Sequence, residues 1–323
     1  MRDRVTSHRA EAKLPLRLCV LAALLALALS PPARAEAPDK VTFGYFPVAD
    51  FLITFIAKDK GFFERHGIDA TIQLMASNAT SIPAAVTSGS IQIGATTLPV
   101  VLQAAENGLD IKVLAGSGAY YPGFHAVALV VPAASEMRAA KDLEGKTIAL
   151  TGINNMVHIL LVKWLADQRA APGKIRFVEA AIAQIPDILK SGQSDAVVAI
   201  EPFLSRMIAG GGARVLAYFQ DIVPPGTATM VWSIEGAYAA SHADLVARMR
   251  AALGDALAYH EAHPDEDEAI LAHYLPMPPP VLKAIPKPRY VNGLDPAQLD
   301  FWSRLMRGQN LLTRPADRAV ILP

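Results

Sequence analysis

One frame of residues is written twice in this chain. "VTSGSIQIGATTLPV" fills residues 86–100 and "LKSGQSDAVVAIEPF" fills residues 189–203, so Ser88, Gly89, Gln92 and Pro99 recur 103 residues later as Ser191, Gly192, Asp195 and Pro202. In each copy a helical stretch stops at Ser-Gly, a small apolar strand follows, and a Pro opens the next helix. The echo reaches upstream, because "VTFGYFPVADFL" and "KTIALTGINNMV" both read strand, Gly, helix at an offset of 105 to 108 residues. One such frame is generic, but two aligned runs of it imply two similar α/β lobes.

The rest of the chain fits that constraint. Strands are expected at 40–47, 68–75, 91–96 and 111–118, with a helix in 49–67 that ends near Gly61 and helices at 77–89 and 97–108 between them. This alternation predicts a largely parallel sheet covered on both faces. The pattern restarts with strands at 125–132, 141–152, 174–180 and 195–200 around helices at 154–168, 184–192 and 202–211. A strand at 227–234 and a long helix at 241–263 follow, then shorter helices. The expected organisation is a first lobe over 36–133, a second over 134–226, and a return to the first over 227–323. Hinges are expected at about 132–136 and 223–227, where Pro132, Pro224, Pro225 and Gly226 lie.

Residues 1–35 stand apart. Arg2, Arg4, Arg9, Lys13 and Arg17 precede the apolar run "LCVLAALLALALS" and an Ala33-x-Ala35 site, the order of a cleavable secretory signal peptide. Thirteen apolar residues are too few to span a bilayer as a helix. The expected product is therefore exported, soluble and begins at Glu36. Its one cysteine, Cys19, lies inside the signal, so the mature chain offers no disulfide, thiolate metal site or cysteine nucleophile. Removing the signal's six basic and two acidic residues leaves 24 Lys and Arg against 28 Asp and Glu. That balance does not favour nucleic acid as a partner. No Gly-rich phosphate loop, HExxH, Ser nucleophile elbow or metal-spaced His and acid cluster is present, so neither a cofactor nor a metal is expected.

Several stretches together carry a family likeness: "GYFP" with "FIAKDKGFFERHGID", then "AAVTSGSIQIGATT", "DLEGKTIALTG" and "GQSDAVVAIEP". Over roughly residues 40–260 the chain resembles the periplasmic substrate-binding proteins of nitrate, sulfonate and taurine ABC importers, the NitT/TauT or NMT1/THI5-like group. That group includes binders of pyrimidine vitamin precursors. The resemblance implies a two-lobed, type II periplasmic-binding-protein-like fold, and a small-molecule ligand held between the lobes. It further implies a monomer in the periplasm that delivers ligand to an ABC permease and its ATPase, without catalysis. Two alternatives share the fold: an enzyme of the cofactor-independent or pyrimidine-precursor type, and a ligand-sensing subunit of a membrane receptor. The chain departs from the family at Gln92, where an acid is usual, and the amide is expected to take over a structural task.

In open α/β sheets ligands collect at the carboxyl ends of the strands, where helix N-termini point. That rule selects Tyr45, Asp50, Ser77, Asn78, Thr96, Thr97, Asn154, Asn155 and Glu201, with Tyr120 and Tyr121 in the aromatic loop before the first crossing. Tyr45 reads equally as core, and Asp50, Ser77 and Asn78 read equally as helix caps. Asn154 and Asn155 are the foremost polar candidates of the second lobe, while Glu201 could serve the surface or the permease instead. One of Tyr120 and Tyr121 is expected to stack on ligand. The candidate turns contain no Lys and no Arg. The expected ligand is accordingly a small, flat or partly apolar organic molecule, neutral or singly charged.

Overall fold

The structure is a computed structural model that describes residues 37–75 and 78–323. The expected signal peptide and the candidate Ser77 lie outside the described residues. The first lobe opens with β1 (Asp39–Tyr45), α1 (Leu52–Asp59), α2 (Phe62–Arg65), β2 (Ile68–Leu74), α3 (Ile82–Thr87), β3 (Ile93–Thr96), α4 (Leu98–Glu106) and β4 (Ile111–Ala119). Gly61, at φ 70°, follows the end of α1 at Asp59, where that helix is expected to stop, and the short α2 begins after it. The second lobe comprises β5 (Val127–Pro132), β6 (Thr147–Leu150), α5 (Met156–Asp167), β7 (Arg176–Glu179), α6 (Ile185–Lys190), β8 (Ala196–Ile200), α7 (Phe203–Ala209) and β9 (Ala213–Ala217). The chain then returns through β10 (Ala228–Glu235), α8 (Gly236–Ser241), α9 (Ala243–Ala262), α10 (Asp267–Tyr274), α11 (Pro279–Ala284), β11 (Arg289–Tyr290) and α12 (Gln298–Gly308). Among the described residues no helix is long and apolar enough to cross a membrane.

Two sheets result, in strand orders β11-β4-β10-β3-β1-β2 and β7-β6-β8-β5-β9. The two-lobed α/β architecture is therefore present, but each sheet is mixed rather than parallel. β1 runs parallel to β2 and β3, and β6 parallel to β7 and β8. β10 is antiparallel to both β3 and β4, and β5 to both β8 and β9. The reason is geometric. Each of these strands enters its lobe from the side where the parallel strands end, so it must run against them.

The pairing also moves the first boundary. Val127–Pro132 lie wholly within the second sheet, so the chain crosses at 120–126 rather than near 133, and residues 132–136 form no hinge. The second crossing occupies 218–227. The two crossings are braced together, with His125 stacked on Tyr218 at 4.2 Å between ring centroids and its Nε2 3.4 Å from Asp221.

β10 brings one of the two fully buried tryptophans of the described residues. Trp232 is 1% exposed and meets Phe43 edge-on at 5.3 Å and Phe51 at 4.7 Å. Burying a ring of that size stabilises the lobe by about 2–3 kcal/mol. The repeated frame has one structural meaning in both lobes. Gly89 and Gly192 take φ of 74° and 73° to end α3 and α6. Gln92 Oε1 accepts the Thr42 N–H at 3.0 Å, and Asp195 Oδ2 accepts the Thr147 N–H at 2.8 Å. The amide at Gln92 thus makes the bond that a carboxylate makes in the other copy.

Candidate functional site

The strand ends, the crossings and the N-termini of α4 and α5 converge on one cavity of about 80 Å³. The first lobe contributes Phe46, Asp50, Asn78, Thr97 and Tyr120, and β10 adds Thr229 and Met230. The second lobe contributes Thr151, Asn155, Met156, Val157 and Ile200. Phe124 and Gln220 belong to the crossings. Most of this lining is apolar. Among the described residues of the lining, Asp50 is the only charged side chain.

The polar groups are tightly wired. Thr229 Oγ1 donates to Asp50 Oδ1. Burial pushes the Asp50 carboxyl up from 3.8 to about 6, against the lowering effect of the Thr229 bond and of its own backbone N–H. Val127 N–H donates to Gln220 Oε1 at 3.0 Å, and Gln220 Nε2 donates to the Tyr120 hydroxyl. That hydroxyl in turn points its proton toward the Met156 thioether at 3.8 Å. Burial, and then the Asp50 charge, hold Tyr120 well above the ordinary phenol range. Asn155 caps α5, accepting the His158 N–H at 3.1 Å, and its amide donates to Thr151 Oγ1 at 3.3 Å. Thr97 occupies the N-cap of α4 but makes no capping bond, and its buried Oγ1 has no partner among the described residues.

Five of the expected residues line this cavity: Asp50, Asn78, Thr97, Tyr120 and Asn155. Tyr45 does not. Its ring packs on Phe55 at 5.0 Å and its hydroxyl donates to the Tyr274 carbonyl, while the next residue, Phe46, faces the cavity. Thr96 turns away in the same manner, donating to the Ala79 carbonyl at 3.0 Å, and Thr97 faces in. Tyr121 donates to the Lys287 carbonyl, so Tyr120 is the tyrosine of the pair that reaches the cavity.

Asn154 sits at φ 62° outside the lining, its carbonyl accepting Gln103 Nε2 from α4 at 2.7 Å. Glu201 also lies outside it. Its buried carboxylate accepts Ser205 N–H and Oγ–H at 3.1 and 2.8 Å, capping the first turn of α7, and burial raises its pKa. Gln220 and Thr229 were not among the expected residues. Thr229 stands at the start of β10, so the rule of carboxyl strand ends passes it over, and only the antiparallel entry of β10 brings it to the cleft. Gln220 sits in a stretch without periodicity and carries no such signal.

The family model described as NMT1/THI5-like matches residues 48–267. No curated protein sequence matches the chain. Among solved structures, the alkanesulfonate-binding protein SsuA from Xanthomonas axonopodis pv. citri, bound to MOPS, aligns with TM-score 0.75 at 22% identity, over 89% of this chain and 99% of its own. The periplasmic nitrate-binding protein NrtA from Synechocystis PCC 6803 aligns with TM-score 0.73 at 14% identity, over 87% and 84%. The desulfurization enzyme DSZB aligns with TM-score 0.62 at 16% identity, over 88% and 96%. At these identities the likeness is one of fold, and the same fold serves binding proteins and an enzyme.

Proposed function

Because the chain belongs to the NMT1/THI5-like family, we propose that it is the periplasmic solute-binding component of an ABC importer, capturing a small organic ligand between its lobes and presenting it to the permease. The observation that carries this reading is the cavity at the strand ends, walled by both lobes and both crossings. Such a place closes around a small solute when two lobes rotate about two linkers.

The lining sets the ligand's character. A doubly charged anion calls for guanidinium partners in bidentate geometry, and the described lining offers none. Asp50 would oppose any anion directly. Phe46, Phe124, Met156 and Ile200 suit an apolar or flat body, which supports an organic solute over an inorganic oxyanion. The size is also informative, because about 80 Å³ is roughly half of a cavity that holds benzene. A larger solute requires the lobes to separate further.

The test is a thermal-shift screen of the mature protein against sulfonates, carboxylates, amides, N-heterocycles and nitrate. A ligand at 100 times its Kd adds about 2.7 kcal/mol to stability. Solution scattering of the ligand-bound protein is expected to give a smaller radius of gyration than the free protein. A screen in which nitrate alone stabilises the protein would contradict the organic-ligand reading.

A further inference from the structure

The direction of the hydrogen bonds that run through Gln220 to Tyr120 is fixed by a backbone group. Val127 N–H can only donate, so the Gln220 atom that faces it at 3.0 Å must be Oε1. The Gln220 amide is then locked with its Nε2 toward Tyr120, and that nitrogen can only donate. The accepting side of the Tyr120 hydroxyl is thereby used. Its proton is left facing the Met156 sulfur at 3.8 Å, a weak acceptor. Asp50 is wired with the opposite sense. Thr229 supplies one donor to its Oδ1, and the carboxylate keeps acceptor capacity on the cavity side. The two groups are close enough that the charge of Asp50 acts on Tyr120.

A ligand therefore meets one strong acceptor and one under-used donor in a largely apolar wall. An ammonium satisfies Asp50 and leaves the Tyr120 proton without a better partner. A ketone does the reverse. A sulfonate or nitrate suits Tyr120 and confronts Asp50 with no cation among the described lining residues. Resting on the binding function argued above, we propose that Gln220 is a positioning residue that sets Tyr120 as a donor, so that the cavity selects an uncharged ligand with an N–H donor beside a carbonyl acceptor, a primary carboxamide or lactam. The amide N–H faces Asp50 and the carbonyl faces Tyr120. Thr97 Oγ1, buried and without a partner among the described residues, lines the same cavity and adds a hydroxyl for either end.

Four small probes of similar size separate the possibilities: acetamide, acetone, isopropylammonium and methanesulfonate, titrated into the mature protein and followed by NMR. Acetamide is expected to bind about tenfold more tightly than each of the others, the discrimination given by one unmatched polar group. Gln220→Glu keeps the acceptor for Val127 N–H but replaces the donor with a carboxylate that takes the Tyr120 proton. It is expected to lower the preference for acetamide over isopropylammonium by about tenfold. A Gln220 that only supports the fold would weaken all four probes alike. Tyr120→Phe, which keeps the ring, is expected to remove the preference for acetamide over isopropylammonium. Equal binding of acetone and acetamide by the unsubstituted protein overturns the proposal, as does an unchanged preference in Gln220→Glu. Tightest binding of methanesulfonate overturns it while leaving a solute-binding protein. Silence from all four probes also overturns it, and the thermal-shift screen then decides whether the binding function stands.

Discussion

Asp50 shows what one half-buried carboxylate does to the ligand-free protein. Its pKa is raised from 3.8 to about 6, first by burial. Below the unfolded value both states are protonated and Asp50 costs nothing. Between about 3.8 and about 6 the unfolded state ionises while the folded carboxyl keeps its proton, so stability falls across that window. Above it the folded state carries a charge that the unfolded state carries more easily. The stability lost by neutral pH is on the order of 3 kcal/mol. Asn in its place removes the charge, so Asp50→Asn is expected to stabilise the free protein at pH 7.5 by up to about 3 kcal/mol and to change little at pH 4. Urea denaturation at the two pH values checks this, and an equal effect at both would refute the assignment. Such a penalty is characteristic of a group kept for binding rather than for folding.

At the scale of elements, the repeated frame is a device for finishing a sheet. β3 pairs with β1 only at Phe43 and Gly44, and β8 with β6 only at Ile148 and Ala149. Thr42 and Thr147 stand one residue before those ladders, and Gln92 and Asp195 supply the missing acceptors. Asp195→Ala and Gln92→Ala are each expected to cost about 1–2 kcal/mol, and Gly192→Ala, forced to hold φ 73°, about 1 kcal/mol. Denaturant titration reads these losses, and no change in any of the three would remove the role given to the frame. This device was legible in the sequence because its spacing is conspicuous. Facing was not legible. Tyr45, Thr96, Asn154 and Tyr121 each sit one residue from a neighbour that lines the cavity. These turns reach the cavity, but which residue of a turn points inward depends on the side of the sheet from which the strand ends. Sheet direction was hidden for a related reason. Neither β5 nor β10 differs in composition from a parallel strand, and only the crossing geometry makes them antiparallel.

The whole molecule is closed by bonds that leave one lobe and end on the backbone of the other. Gln103 donates to the Asn154 carbonyl at 2.7 Å, and Gln309, after α12, donates to the Ile159 carbonyl at 2.8 Å. A net value of about 1 kcal/mol for each shifts the balance between separated and closed lobes about fivefold per bond. The pair Gln103→Ala and Gln309→Ala is expected to enlarge the radius of gyration of the free protein without lowering the stability of either lobe's core. An unchanged scattering profile would show that the lobes are held by something else. The connectivity has a further effect, on the order in which the parts come into being. The second lobe is drawn from one unbroken stretch, 127–217, whereas β10, at residues 228–235, sits between β3 and β4 in the middle of the other sheet. A chain emerging from the ribosome can therefore complete its second lobe first. Until β10 arrives, the facing edges of β3 and β4 remain open and Phe43 and Phe51 lack Trp232. A nascent chain stopped at residue 226 is expected to protect amides across 127–217 from exchange and to leave 39–119 unprotected, so the N-terminal half of this protein waits on a strand made nearly 200 residues after its own first one.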